Sequence, residues 1–301
     1  MLVASVFGIK VALPVGPTLF SVVPLIEKRI PTEETYEFVF WKTFDEAIAL
    51  IARRQTDYIF LPVSYGATLF GKGLPVQLQA VSLWKTFYSV SKNWKYNDIS
   101  SFIGETVYLT QGKGQTADVT VRLLLAEAGI DADKDVSLKY ISPSEIVSFM
   151  EKGVANIAVV PEPYVSLILS RIPDVAISFD LDALWKESFG STASIPITGF
   201  FYIKTTDNVS GTPIDKTYRV LEDIKLSVTY LLQNTEEVVS LALKSFPGMK
   251  TEVLIDSLKR STFDFSFGAE TNVSVRDYLF LLNSKANETM PILPDENFYL
   301  E

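Results

Sequence analysis

The sequence contains neither cysteine nor histidine. That removes thiolate nucleophiles, Cys/His zinc sites and imidazole acid–base chemistry together. A hydrolase built on this chain would need carboxylate, lysine or tyrosine machinery. Paired carboxylates occur at Glu33-Glu34 and Glu236-Glu237. They stand in turn and cap positions and read as solvated or helix-dipole charges, not as a catalytic dyad. No stretch has metal-ligand spacing, and no cofactor motif appears. Gly112-Lys113-Gly114 is glycine-rich but lacks the G-x-x-x-x-G-K-[ST] order of a phosphate loop. The groups that remain are suited to holding a small molecule: hydroxyls, amides, backbone N–H groups and aromatic rings.

Composition narrows the partners. The formal charge is −9 and the isoelectric point about 4.8, which argues against nucleic acid. Arg53-Arg54 and Lys259-Arg260 are isolated basic pairs, not patches. At 301 residues, 48% of them hydrophobic, the chain has material for two cores. Within it no apolar run is long enough to span a bilayer. Residues 1–8, MLVASVFG, resemble the tail of a signal-peptide apolar region ending in small residues. The alternative is a short extra strand or a frayed terminus.

The elements that must position any site are organised around a repeat. Tyr36–Phe70 and Asp135–Leu169 align without a gap at an offset of 99 residues. Thr43 matches Ser142, Glu46 matches Glu145, Pro62 matches Pro161 and Tyr65 matches Tyr164. Both copies open a helix with an S/T-x-x-E capping box. Both then show apolar residues at helical spacing, followed by a continuous apolar run, Tyr58–Leu61 or Ile157–Val160. Such runs suit strands covered on both faces of a parallel sheet. Ahead of each copy stands a strand, a turn and a helix: Ile9–Leu13 with Leu19–Ile30, and Thr106–Leu109 with Ala117–Ala128. The pattern predicts α/β lobes, each a mostly parallel sheet flanked by helices through right-handed crossovers. The expected boundaries are 9–90 plus 200–301 for one lobe and 91–199 for the other. Val76–Ser91 reads as one strand leading out of the first lobe, and Ile195–Ile203 as the strand leading back. Crossings near Ser89–Ser91 and Thr198–Phe200 would form a two-stranded hinge. The remainder is read as helical over Asp215–Gln233, from Asn234 to Phe246, over Lys250–Lys259 and over Val273–Ser284.

In this order and spacing the motifs resemble substrate-binding proteins of ABC importers, in the group serving nitrate, alkanesulfonates and thiamine-precursor pyrimidines. The residues that carry the resemblance are Ile9–Thr18, Asp57–Pro62, Glu105–Gly129, Asp131–Val136 and Val159–Tyr164. It spans roughly residues 9–205. Pro17 and Lys113 depart from the small polar residues more usual there. The resemblance implies the two-lobed periplasmic-binding-protein type II fold.

In open α/β sheets ligands sit beyond the carboxyl ends of the strands. Here those ends are Pro14–Thr18, Trp41–Thr43, Pro62–Tyr65, Gln111–Thr116 and Pro161–Tyr164, and two facing lobes would bring them to one cleft. Helix N-termini after Gly16, Ser64, Gly114 and Glu162 would offer N–H groups to negative ligand atoms. Thr18, Ser64 and Thr116 either add hydroxyls to the ligand or cap their own helices. Trp41, Tyr65, Trp84, Phe87 and Tyr164 either stack on a flat ring or pack the lobes together. Glu162 either satisfies a helix dipole or accepts from an amino-substituted ring. Lys113 either faces solvent or meets an anion. Gln111, Gln115, Gly112, Pro17 and Thr198 complete the candidate set.

The expectation is a non-enzymatic, monomeric, extracytoplasmic receptor. It would close over one small molecule by hinge motion and deliver it to membrane permease subunits. A flat amine-bearing heterocycle, such as a thiamine-precursor pyrimidine, is the leading ligand; a small sulfonate is second. An enzyme on the same scaffold is the rival. The pyrimidine synthases of the fold use His and Cys, and this chain has neither.

Overall fold

The computed structural model describes residues 8–92, 97–110, 112–204, 214–286 and 290–300. Residues 1–7 of the expected signal-peptide remnant, and the candidate site residue Gln111, lie outside the described residues.

The first strand is β1 (Ile9–Pro14). The single helix expected over Leu19–Ile30 is instead a 3₁₀ turn, Pro17–Ser21, and a one-turn α1 (Val23–Ile26). The cause is Pro24, which removes an N–H donor and its i−4 hydrogen bond from the middle of that stretch. There follow β2 (Tyr36–Trp41), α2 (Phe44–Ala52), β3 (Tyr58–Pro62) and α3 (Val63–Gly71). The stretch read as one strand over Val76–Ser91 is broken at Thr86 into β4 (Val76–Lys85) and β5 (Phe87–Ser91), which join different sheets. Next come β6 (Thr106–Leu109), α4 (Thr116–Glu127), β7 (Ser137–Tyr140), α5 (Pro143–Glu151), β8 (Ile157–Pro161) and α6 (Tyr164–Arg171). They lead to β9 (Ala176–Asp180), α7 (Leu181–Phe189) and β10 (Thr198–Ile203). The chain ends through α8 (Ile214–Gln233), α9 (Thr235–Ala242), α10 (Thr251–Arg260), β11 (Thr262–Ser266) and α11 (Ala269–Lys285).

The sequence repeat is a structural one. α5 and β8 begin and end 99 residues after α2 and β3. Ser142 forms the reciprocal capping box with Glu145. Thr43 accepts from the Glu46 N–H at 3.2 Å, while the Glu46 carboxylate reaches one residue further back, to the Lys42 N–H at 2.7 Å.

Two sheets result. One has the order β11-β4-β10-β3-β1-β2 and the other β7-β6-β8-β5-β9. β1 pairs in parallel with β2 and β3, and β6 in parallel with β7 and β8. β10 lies antiparallel between β3 and β4, and β5 antiparallel between β8 and β9. Each sheet is thus mostly parallel in direction, with one internal strand running against the majority. That strand is the one that has just crossed from the other sheet. β11, absent from the sequence reading, adds an antiparallel edge to β4.

Burial follows the pleat. In the second sheet Val107, Leu109, Ile157 and Val159 face the large core shared with α4 and α7. Their alternating neighbours Tyr108, Ala158 and Val160 face a smaller core with α5 and α6. The crossings are pinned by charge. Lys85 at the end of β4 meets Asp180 at the end of β9 at 2.5 Å. Buried Asp182, in the first turn of α7, accepts from the Ile195 N–H at 2.8 Å and from Ser194 Oγ at 3.0 Å. It thereby fixes the returning segment just before β10.

One contact between helix and sheet is unusually close. A Cβ on Gly66 of α3 would stand 2.2 Å from the ring of Phe201 in β10. Phe201 is fully buried and also packs on Phe298, at 5.9 Å between centroids. Gly66→Ala is expected to cost about 2 kcal/mol by overpacking, read as a lowered urea midpoint with unchanged slope. Adding Phe201→Leu should recover part of that loss. Full stability in the single variant would show that α3 does not depend on this approach.

Candidate functional site

Between the sheets lies a cleft of about 540 Å³. Its walls are carboxyl ends of strands from both units. Pro14, Gly16, Pro17 and Thr18 follow β1; Trp41, Lys42 and Phe44 follow β2; Leu61 and Pro62 end β3. From the other side come Thr110, Gln115 and Thr116 after β6, Pro143 after β7, and Pro161 to Tyr164 after β8. Leu83, Thr86, Phe87, Ile197 and Thr198 form the floor, where the chain crosses. This is the place topology assigns to a ligand.

Of the residues singled out from the sequence, Gly16, Pro17, Thr18, Trp41, Gln115, Thr116, Glu162, Tyr164 and Thr198 line this space. Ser64, Tyr65, Trp84, Gly112, Lys113 and Gly114 do not. Ser64 is buried inside the first turn of α3. Tyr65 stands behind Phe44, its ring centroid 4.2 Å away. The Trp84 indole N–H turns outward and donates to the Asp264 carbonyl at 3.0 Å and to Ser266 Oγ at 3.2 Å. β11, which the sequence reading omitted, supplies those acceptors. Lys113 borders a separate polar groove with Arg122, Asp133 and Tyr140.

The glycine-rich loop is satisfied internally. Gly114 N–H donates to Asp118 Oδ2 at 2.7 Å, and Gly112 N–H to the Gln115 side-chain oxygen at 3.2 Å. Asp118 is fully buried, and Arg122 Nε and the Tyr140 hydroxyl also donate to it, at 2.8 and 2.7 Å. An internal carboxylate thus holds the position where an anion was expected. The segment after Gly16 is a 3₁₀ turn of five residues, not the α-helix N-terminus expected there. None of Thr18, Ser64 and Thr116 caps a helix with its side chain.

Glu162 is 1% exposed and heavily engaged. Its Oε2 accepts the Ser166 N–H and its Oε1 the Ser166 hydroxyl, both at 3.0 Å. Arg260 of α10 approaches Oε1 at 3.4 Å. The helix-dipole alternative therefore describes most of its bonds. A carboxylate has about four lone-pair directions, and these contacts use three of them. Burial pushes its pKa up from 4.5, against the opposing pull of Ser166 and Arg260.

Three buried polar atoms on the walls have no partner among the described residues: Trp41 Nε1, Thr110 Oγ1 and Thr116 Oγ1. Leaving such a group unmatched costs about 1–3 kcal/mol. Trp41 is 5% exposed and packs on Phe44 at 5.5 Å. The charged side chains lining the cleft are Lys42, itself exposed, and Glu162. The other lining groups are prolines, aromatics, aliphatics and small polar residues.

Sequence reasoning missed one wall altogether. Ser245, Phe246, Pro247 and Met249, between α9 and α10, close one side of the cleft. Phe246 stacks on Phe20 at 5.0 Å with 9° between planes. A Phe-Pro-Gly turn between helices carries no local mark of this role; only tertiary packing assigns it.

Residues 106–189 match the model of the NMT1-like family. Among solved structures, an ABC transporter protein from Parabacteroides distasonis is 22% identical, covering 98% of this chain and 99% of that one, with a TM-score of 0.77. The periplasmic aliphatic sulphonate binding protein SsuA from Escherichia coli is 16% identical, covering 97% and 93%, with a TM-score of 0.74. The alkanesulfonate-binding protein SsuA from Xanthomonas axonopodis pv. citri, bound to MOPS, is 13% identical, covering 96% and 95%, with a TM-score of 0.69. No curated protein sequence matches the chain significantly. These likenesses span the whole molecule, and the fold is the two-lobed periplasmic-binding-protein type II fold.

The Glu162 environment predicts a pH dependence. A carboxyl whose folded pKa lies above its unfolded one stabilises the fold below the unfolded value. That contribution is lost as pH rises through the folded value. Thermal melts of Glu162→Gln and the unaltered chain should therefore differ least near pH 4. The variant should gain relative stability as pH rises past about 4.3, the unfolded glutamate value, and the gain should level off above the folded pKa. A difference independent of pH would show that Glu162 is not destabilised by burial.

Proposed function

We propose that the protein is a solute receptor of an ABC importer, acting outside the cytoplasm as a monomer and handing one small molecule to membrane permease subunits. The observation that carries this reading is the cleft itself, walled by strand ends of both units and edged by polar atoms that have no partner among the described residues. A guest supplying an acceptor to Trp41 and a partner to Thr110 or Thr116 would match those atoms, and the two units would close on it by bending at the crossings near Thr86 and Thr198. The likeness to periplasmic binding proteins supports the same reading. Among the described residues no helix is long and apolar enough to cross a membrane.

The ligand we favour is a flat, amine-bearing heterocycle of the thiamine-precursor pyrimidine kind. Trp41, Phe44, Phe87, Tyr164 and Phe246 offer ring faces, and the prolines between them add rigid apolar wall. Glu162 keeps one acceptor direction for an amino group. A sulfonate is the second reading. Lys42 at the wall favours it, as does the likeness to two proteins described as sulfonate-binding. Against it, the amides of the glycine-rich loop are already taken by Asp118 and Gln115. The absence of His and Cys argues against the pyrimidine-synthase chemistry of the rival reading.

Titration calorimetry with 4-amino-2-methylpyrimidine and with MOPS separates the two ligands. The pyrimidine should bind and be recovered unchanged. Trp41→Phe should weaken it about tenfold, the loss of one hydrogen bond worth about 1.4 kcal/mol, and should leave the ligand-free chain no less stable. Binding of MOPS alone, abolished by Lys42→Ala, would replace the heterocycle with a sulfonate. Turnover of either compound would overturn the receptor reading.

A further inference from the structure

The second-sheet unit is held by more than the two crossings. α10 packs along α6, and Met249 and Val253 at its start join the smaller core of that unit. Arg260, the last residue of α10, donates to Ser166 Oγ at 2.7 Å and approaches Glu162 Oε1 at 3.4 Å. Its carbonyl accepts the Tyr88 hydroxyl of β5 at 2.6 Å. Two residues later the chain enters β11, which is hydrogen-bonded to β4 of the first sheet. At the other end of α10, Arg171 of α6 donates to the Gly248 carbonyl at 3.3 Å. α10 therefore bridges the two cores: Val253 joins the smaller one, while Leu254, Ile255 and Leu258 pack on the larger one and the helix also lies against α9; the strand after it belongs to the first sheet. The Ser245–Met249 wall of the cleft is attached directly to its N-terminal end.

We propose that Arg260 is a positioning residue for the cleft: from outside it, Arg260 clamps α10 to Glu162 and Ser166 and so sets where the Ser245–Met249 wall stands. Glu162 carries the linkage, because it lines the cleft and lies within 3.4 Å of Arg260. Just after α10, Ser261 Oγ lies 3.4 Å from Thr86 Oγ1 at the first crossing. Charge supports the clamp. Glu162 is almost wholly buried and its carboxyl is pushed toward protonation by burial. Arg260 opposes that push, and removing one partner of a buried pair is strongly destabilising. The aliphatic stem of Arg260 adds packing that a shorter residue would lose.

The inference rests on the reading of this cleft as a binding site, but its test needs no ligand. Amide hydrogen exchange on the full ligand-free chain would be compared for the unaltered protein, Arg260→Met, Arg260→Lys and Ser166→Ala. Arg260→Met should speed exchange about tenfold at Phe246, Met249 and Ser166, whose N–H groups are bonded within this assembly. The strands β1, β3 and β6 should keep their protection. Arg260→Lys should restore part of it, since the charge returns without the second hydrogen bond. Ser166→Ala, which keeps the guanidinium, should reproduce a weaker version of the same local effect. Unchanged exchange at Phe246 and Met249 in Arg260→Met would overturn the proposal. So would faster exchange spread evenly over both sheets, because that marks general loss of stability and not a local clamp. Neither result bears on whether a solute binds, which the calorimetry above decides.

Discussion

The exchange of one antiparallel strand between the sheets is the constraint on which this molecule depends. β10 sits between β3 and β4, and β5 between β8 and β9. Each has just arrived from the other unit, and each completes the hydrogen bonding of two neighbours on arrival. Neither sheet can therefore be separated from the other without stripping backbone groups of their partners. What remains free is bending at the short links, Thr86 in one direction and the segment ending at Ile197 in the other. Lys85 with Asp180, and Asp182 with Ser194 and Ile195, hold those links at their ends.

The cleft follows from that exchange. Because β1, β2 and β3 point their carboxyl ends toward those of β6, β7 and β8, the loops that leave them meet. The loops contribute little charge and much rigid surface. Prolines at 14, 17, 62, 143, 161 and 163 stand at or beside the strand ends. A wall of this kind loses little conformational entropy when a guest binds, since proline is already restricted. The carboxylates near it, Asp118 and Glu162, are bonded into the protein first and are exposed to the cleft only second, or not at all. Selectivity therefore rests on indole, hydroxyl and ring positions more than on formal charge.

How far this was legible in the sequence depended on the range of the interaction concerned. The paired helices and strands were readable because capping residues, apolar periodicity and a constant offset are local signals. Val76–Ser91 reads as one strand because β-prone residues continue on both sides of Lys85-Thr86; only pairing reveals that the two halves belong to different sheets. β11 was missed although Phe263, Phe265 and Phe267 alternate, since two strong helical patterns flank it. At the site, topology points to residues directly after parallel strands, and several of these line the cleft. Lys113 and the glycines beside it do not line the cleft, for a specific reason. Asp118, one helical turn further on, folds back to take the loop amide, and nothing at the loop itself announces it. The Ser245–Met249 wall lay outside any local reading.

The uneven layout of the two units along the chain has a consequence for how the molecule is made. All five strands of the second sheet lie in one uninterrupted stretch, from Phe87 to Asp180. The first sheet must wait for β10 and β11, which arrive after the entire second unit has been synthesised. Contacts between such distant segments form late and slowly. During synthesis the second sheet can pair its five strands while β3 and β4 still present open edges to one another's missing partner. It is those edges, Tyr58–Pro62 and Val76–Lys85, that newly made chains must keep from adhering to a neighbour.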